Sequence, residues 1–144
     1  MKIKVEPIKV NHYPKVCELC GGRVIITSKE DVSGKCYCCV NCGAYAKTYM
    51  EEPDKAMTIL STEEMHSLRK KCCSLFRSIW KNAKDSKRVR KCLFGWLADK
   101  LKLDCSDCTF SFLNLEQLKS VEKTLLEVRW RTPVFDRNRR LYFR

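Results

Sequence analysis

Long apolar runs are missing from this sequence: none approaches the roughly 18 residues that a helix needs to cross a bilayer. The opening stretch, Met-Lys-Ile-Lys-Val-Glu-Pro, also lacks the apolar centre of a signal peptide. The expectation is a protein that stays in the cytoplasm where it is made and does not engage membrane. Histidine is scarce, with His12 and His66 the only two, and there is no HExxH helix, glycine-rich phosphate loop or nucleophile elbow. Material for metal-assisted hydrolysis or acid–base catalysis is therefore thin, and neither an enzyme nor a small-molecule substrate is expected. Acidic charge is short as well: 17 Asp and Glu face 29 Lys and Arg, a formal charge of +12. An excess of that size attracts polyanions at long range, nucleic acid before anionic membrane, and sets affinity and on-rate more than specificity.

Cysteine is what the sequence has in plenty. Eleven of them suit a disulfide scaffold in a secreted chain, but no export signal is visible and the count is odd, so reduced thiols and a metal are the better reading. Cys17-Glu-Leu-Cys20-Gly21 and Cys39-Val-Asn-Cys42-Gly43 are two knuckles of one form. Two residues between thiolates let a tight turn aim both sulfurs at one tetrahedral ion, and the following glycine supplies the positive φ that close backbone approach requires. The 18 residues between the knuckles leave room for a hairpin that brings the second pair beside the first, the zinc-ribbon arrangement. Zinc is the expected cofactor, with iron in a rubredoxin-like site and buried or redox-active thiols as the competing readings. Four thiolates leave no open coordination position, so the zinc is expected to be structural. With the ion bound the net charge is still about +10. Cys36 and Cys38 compete for the second knuckle, because Cys36-x2-Cys39 is also a C-x2-C pair, although only the 39 and 42 choice puts a glycine after the second ligand.

Length favours one compact unit with two sub-parts. Residues 1–52 read as the zinc-ribbon module, with a β-branched run Arg23-Val-Ile-Ile-Thr27, a second strand through Tyr37 and a third at Ala44 to Tyr49. Glu51-Glu-Pro-Asp54 is a charged breaker. Residues 53–131 read as a three-helix body. Ser61-Thr-Glu-Glu64 has the form of a capping box, and Met65, Leu68, Cys72, Leu75, Phe76, Ile79 and Trp80 recur at helical steps after it. A second helix is predicted over Ser86 to Leu101. A third follows Asn114, with Leu115, Leu118, Val121, Leu125 and Leu126 as its stripe, and Pro133 is expected to end it. Three such stripes bury against each other. Residues 132–144 form a tail in which Arg137, Arg139, Arg140 and Arg144 alternate with rings. The fold class is α+β, a zinc ribbon packed with three helices.

Two further constellations are candidates. Cys105-Ser-Asp-Cys108 is another C-x2-C, and Cys73 could join it in a second metal cluster; Cys72 and Cys92 fall on apolar stripes and read as small hydrophobes. Lys81, Lys84, Lys87, Arg88, Arg90 and Lys91 stand against Asp85 alone near the start of the second helix. With the arginines of the tail they make Lys84, Lys87, Arg88, Lys91, Arg137, Arg139 and Arg140 the candidate nucleic-acid contacts.

Cys39-Val-Asn-Cys42-Gly-Ala-Tyr45, the helical Leu68-Arg-Lys, Phe76 and Trp80-Lys81, then Trp96-Leu97-Ala98 and Cys108-Thr-Phe-Ser-Phe-Leu-Asn-Leu-Glu-Gln117 together resemble a group of small zinc-finger-containing proteins encoded mainly by bacteriophages and prophages. The likeness covers roughly Val16 to Val128. It implies a ribbon followed by helices and a phage protein in the cytoplasm of a bacterial host, and hands over no activity. Relatives tend to carry a histidine where this chain has Cys73, and Cys-His where it has Cys108-Thr109. A rearranged cluster of Cys73, Cys105 and Cys108 would follow from the first exchange, while the second loses a ligand. The expected partner is nucleic acid or a nucleoprotein; the alternative is a host protein, with the chain acting as inhibitor or adaptor on a defence or transcription complex through Val134-Phe135 or Leu141-Tyr-Phe143.

Overall fold

The structure, a computed structural model, describes residues 11–28, 34–103 and 110–144. The chain is α+β, as its patterning predicts. In order come β1 (Val24–Ser28), β2 (Lys35–Cys39), β3 (Tyr45–Lys47), α1 (Glu63–Lys81), α2 (Ser86–Leu101), a 3-10 turn at Phe110–Phe112, α3 (Leu115–Val128), β4 (Pro133–Phe135) and β5 (Leu141–Phe143). The described residues fall into two compact units. One holds residues 11–67 with 111–114; the other holds 68–103 and 110 with 115–144.

The first unit is built on an antiparallel sheet of order β1-β2-β3. Val24 pairs with Cys39 and Ser28 with Lys35, while Cys36 and Cys38 pair with Lys47 and Tyr45. Side chains alternate along a strand. Tyr37 and Cys39 therefore enter one cluster, with Cys17, Ala44, Ala46, Ala56 and Leu60, whereas Cys36 and Cys38 go to the other face beside Tyr45. Three of the first cluster's seven members are alanines. That cluster alone removes little apolar surface from water, and Met65, Phe112 and Leu113 are the larger apolar side chains that the same unit buries.

Both histidines serve this framework. The His12 Nδ1–H donates to the Ala56 carbonyl at 2.8 Å, and the His66 Nε2–H donates to Tyr45 O at 3.0 Å with its ring stacked on Tyr45, centroids 4.3 Å apart. The start of α1 differs from expectation. Thr62, not Ser61, caps it, accepting the Met65 N–H at 3.2 Å. Ser61 is committed elsewhere: its backbone exchanges two hydrogen bonds with Tyr45 and its hydroxyl donates to Ile59 O at 2.7 Å.

The second unit has a conventional core. Cys72, Phe76 and Ile79 of α1, Val89, Leu93 and Leu97 of α2, and Leu118, Val121 and Leu125 of α3 are buried on the predicted stripes, and Val128 is buried at the end of α3. Each large apolar side chain so buried contributes about 1.5–3 kcal/mol. Phe76, Phe94 and Phe110 cluster with centroids 4.2–5.5 Å apart. Buried Arg69 sends its Nε–H to Phe110 O at 2.9 Å.

The last helix stops at Val128, earlier than Pro133 suggests, and Pro133 instead opens a hairpin. Pro133 pairs with Phe143 and Phe135 with Leu141. Asp136 makes the turn, its carboxylate accepting the N–H groups of Asn138 at 2.8 Å and Arg140 at 2.9 Å, while Arg139 takes a left-handed φ of 62°. Leu141 is buried, and Phe143 meets Trp96 of α2 edge-on at 4.7 Å.

Candidate metal centre and basic surface

The register that places Cys39 on the Cys17 side of the sheet brings two turns together. Both knuckles close the same way: the Gly21 N–H donates to Cys17 O at 2.8 Å and the Gly43 N–H to Cys39 O at 3.2 Å, with φ of 75° and 78° at the two glycines. Such φ values cost a Cβ-bearing residue about 1–2 kcal/mol, so glycine belongs at both positions. The Cys17 N–H then returns to Gly22 O at 2.9 Å and the Cys39 N–H to Ala44 O at 2.8 Å.

The four sulfurs of Cys17, Cys20, Cys39 and Cys42 lie within 4.8 Å of one another, the one such group of His, Cys, Asp or Glu among the described residues. Cys17 Sγ is 3.7 Å from Cys42 Sγ, and Cys20 Sγ is 3.4 Å from Cys39 Sγ. A tetrahedron with metal–sulfur bonds of about 2.3 Å has edges of about 3.8 Å. The N–H groups of Gly22 and Asn41 point at Cys20 Sγ and Cys39 Sγ, each at 3.4 Å. The Asn41 side chain, then the Gly22 N–H, draw the Cys20 thiol down to about 6, so it is poised as a thiolate. Burial pushes Cys17 up. The Ala44 N–H favours the Cys42 thiolate, but burial and the crowding of Cys20, Cys17 and Cys39 override it and push Cys42 up to about 12. Four sulfurs this close cannot all ionise unless a cation compensates them, so the donor set fits a thiophilic divalent ion.

Cys36 and Cys38, the rivals for the second knuckle, lie 3.3 Å apart on the opposite face of β2 and are thereby set apart from this tetrahedron. Cys73 is exposed on α1. Its proposed partners Cys105 and Cys108 lie outside the described residues. Cys72 fits the reading of a buried apolar thiol: burial pushes it up to about 11, and the thiol donates to Leu118 O at 3.5 Å.

The basic candidates all lie in the helical unit. Lys84, Lys87, Arg88 and Lys91 are exposed at steps of three and four residues, and Arg137, Arg139 and Arg140 are exposed on the hairpin turn and the start of β5's approach. Arg88 has a second task, lying over the Phe135 ring at 3.7 Å. Charge is unequally shared. Residues 68–144 carry 20 Lys and Arg against 8 Asp and Glu, whereas residues 9–67 carry 7 against 8.

Sequence reasoning passed over Gly22, which has no positive φ and so no turn signature. A Cβ there would fall 2.8 Å from Cys39 Sγ and 3.1 Å from Cys20 Sγ. It also passed over Trp130, although the order Arg129-Trp-Arg131 was there to be read. No helix among the described residues is long and apolar enough to cross a membrane.

A strand framework closing two C-x2-C-G turns on four thiols defines a metal-ribbon type of site. The chain belongs to the family described as the zinc-finger-containing domain, which matches residues 13–128. The resemblance carried by the knuckles and the helical motifs is to this family, and the β4–β5 hairpin lies beyond the match. No curated protein and no solved structure matches the chain.

Proposed function

We propose that this is a phage-encoded structural-zinc protein that works in the cytoplasm of a bacterial host and binds nucleic acid, bare or in a nucleoprotein complex, through its helical unit. One zinc ion, held by Cys17, Cys20, Cys39 and Cys42, ties the two knuckles together where the cluster packed beside them is small and alanine-rich. Structural zinc supplies about 10–16 kcal/mol of apparent binding free energy. A site of four thiolates keeps no position for water or substrate, which supports a role without catalysis.

The observation that carries the binding reading is the segregation of charge: the whole basic surplus falls in residues 68–144, while residues 9–67 are close to neutral. Chains that are merely basic need not sort their charge this way. Exposed Lys87, Arg88 and Lys91 follow the start of α2, whose first turn carries no acid and whose N-cap, Asp85, is the one carboxylate beside them. The test is fluorescence anisotropy with labelled oligonucleotides across a salt series. Affinity should fall steeply as salt rises, and Lys87→Glu with Lys91→Glu should weaken binding to all sequences alike. An interaction indifferent to salt, or none at low salt, would overturn the reading.

A second reading, a host protein as partner, has one observation in its favour. Val16 and Val40 are each 60% exposed and Leu19 is 45% exposed, all three beside or within the knuckles. It gains ground if the anisotropy stays flat and a partner isolated with the wild type is lost on Leu19→Ser with Val40→Ser.

A further inference from the structure

Trp130 is 85% exposed, an unusual state for the largest apolar side chain, and it stands between two arginines. Arg129 lies over its ring at 4.9 Å. The indole lines an open groove of about 640 Å³ whose wall also contains Lys84, Arg129 and Arg131. Arg131 in turn lines a second groove, of about 520 Å³, with Trp96, Lys100, Tyr142 and Phe143. Trp96 is shared with a third, of about 550 Å³, which Arg139 and Arg140 border. Each groove falls in the range of about 300–1,000 Å³ that small-molecule sites occupy, room enough for a base with its sugar.

We infer that these adjoining grooves form one track for single-stranded nucleic acid, with Trp130 as a stacking platform for an unpaired base. The inference rests on the nucleic-acid reading above and narrows it. Six cations line the track, Lys84, Arg129, Arg131, Lys100, Arg139 and Arg140, against the carboxylates Glu127 and Asp99. Charge alone would serve a duplex as well. The rings decide: Trp130 and the 45%-exposed Tyr142 offer π-faces in the same grooves as the cations, and only an unpaired base can stack on them. A duplex offers phosphates and base edges and has no use for an exposed indole.

The test compares an oligothymidylate of about 12 nucleotides with a mixed-sequence duplex of the same length, by anisotropy at low and moderate salt. The wild type should prefer the single strand. Trp130→Ala should weaken single-strand binding by roughly 5- to 100-fold and leave duplex binding and the melting temperature unchanged, and Trp130→Phe should recover most of the loss. Equal binding of strand and duplex with no effect of Trp130→Ala would overturn the track and leave the broader nucleic-acid reading standing. Binding to neither at low salt would overturn both.

Discussion

Gly22 stands so close to Cys39 that a Cβ added to the glycine would lie 2.8 Å from the Cys39 sulfur. The same atom would come equally near Asn41 Cβ, so the second knuckle must shift to admit it. Gly22→Ala should therefore weaken metal affinity and cost on the order of 1–3 kcal/mol of stability, the range for forced overpacking. Chelator competition and thermal melting on the whole chain check this. A variant that binds metal as tightly as the wild type would mean that the knuckles shift freely.

Arg88 lies over Phe135 at 3.7 Å, which joins the basic face of α2 to the hairpin. Reversing this charge should do two things at once, weaken polyanion binding and loosen the hairpin by about 0.5–2 kcal/mol. Lys87→Glu should affect binding alone. Melting each variant without ligand separates the two effects, and equal melting temperatures would remove Arg88 from the hairpin's support.

Trp96 and Phe143 meet at 4.7 Å while Leu141 is buried, so residues 132–144 belong to the folded body of the helical unit. Their deletion should lower the melting temperature by many degrees. Phe143→Ala alone should cost about 1–3 kcal/mol, below the range for a wholly buried ring because this one is half-buried. Unchanged melting after the deletion would make the hairpin a free arm.

Cys72 supplies a pH dependence whose sign is fixed. Its thiol is raised from 9.0 to about 11 in the folded chain, chiefly by burial, so the folded state holds this proton more tightly than the unfolded one. The contribution is whole below pH 9 and is lost as pH rises through about 11. Cys72→Val, similar in volume and unable to ionise, should lose less stability over that window. Urea midpoints at pH 8 and near pH 11 measure the difference, and parallel losses in the two proteins would contradict the assignment.

The knuckles and helices were legible in the sequence because each carries a local cause. Cys-x2-Cys-Gly encodes its own turn, and the stripes of Val89, Leu93 and Leu97 or Leu118, Val121 and Leu125 encode their helices. Two kinds of feature escaped. The β4–β5 hairpin turns at Arg139, which holds a left-handed φ normally given to glycine or asparagine, so the usual turn signal is missing. Gly22 and the capping of α1 by Thr62 depend on what lies across space from them, the Cys39 sulfur in one case and the pairing of Ser61 with Tyr45 in the other. The exclusion of Cys36 came from the strand pleat, which a pattern of C-x2-C spacings does not contain.

The most direct measurement is the zinc content per chain by native mass spectrometry on reduced protein, for the wild type, Cys39→Ser and Cys36→Ser. One zinc per chain is predicted in the wild type and in Cys36→Ser, with the metal lost or greatly weakened in Cys39→Ser, because pleat alternation puts the Cys39 sulfur in the tetrahedron and turns the Cys36 sulfur away. A chain without stoichiometric zinc, or one in which Cys36→Ser releases the metal and Cys39→Ser keeps it, would contradict the account.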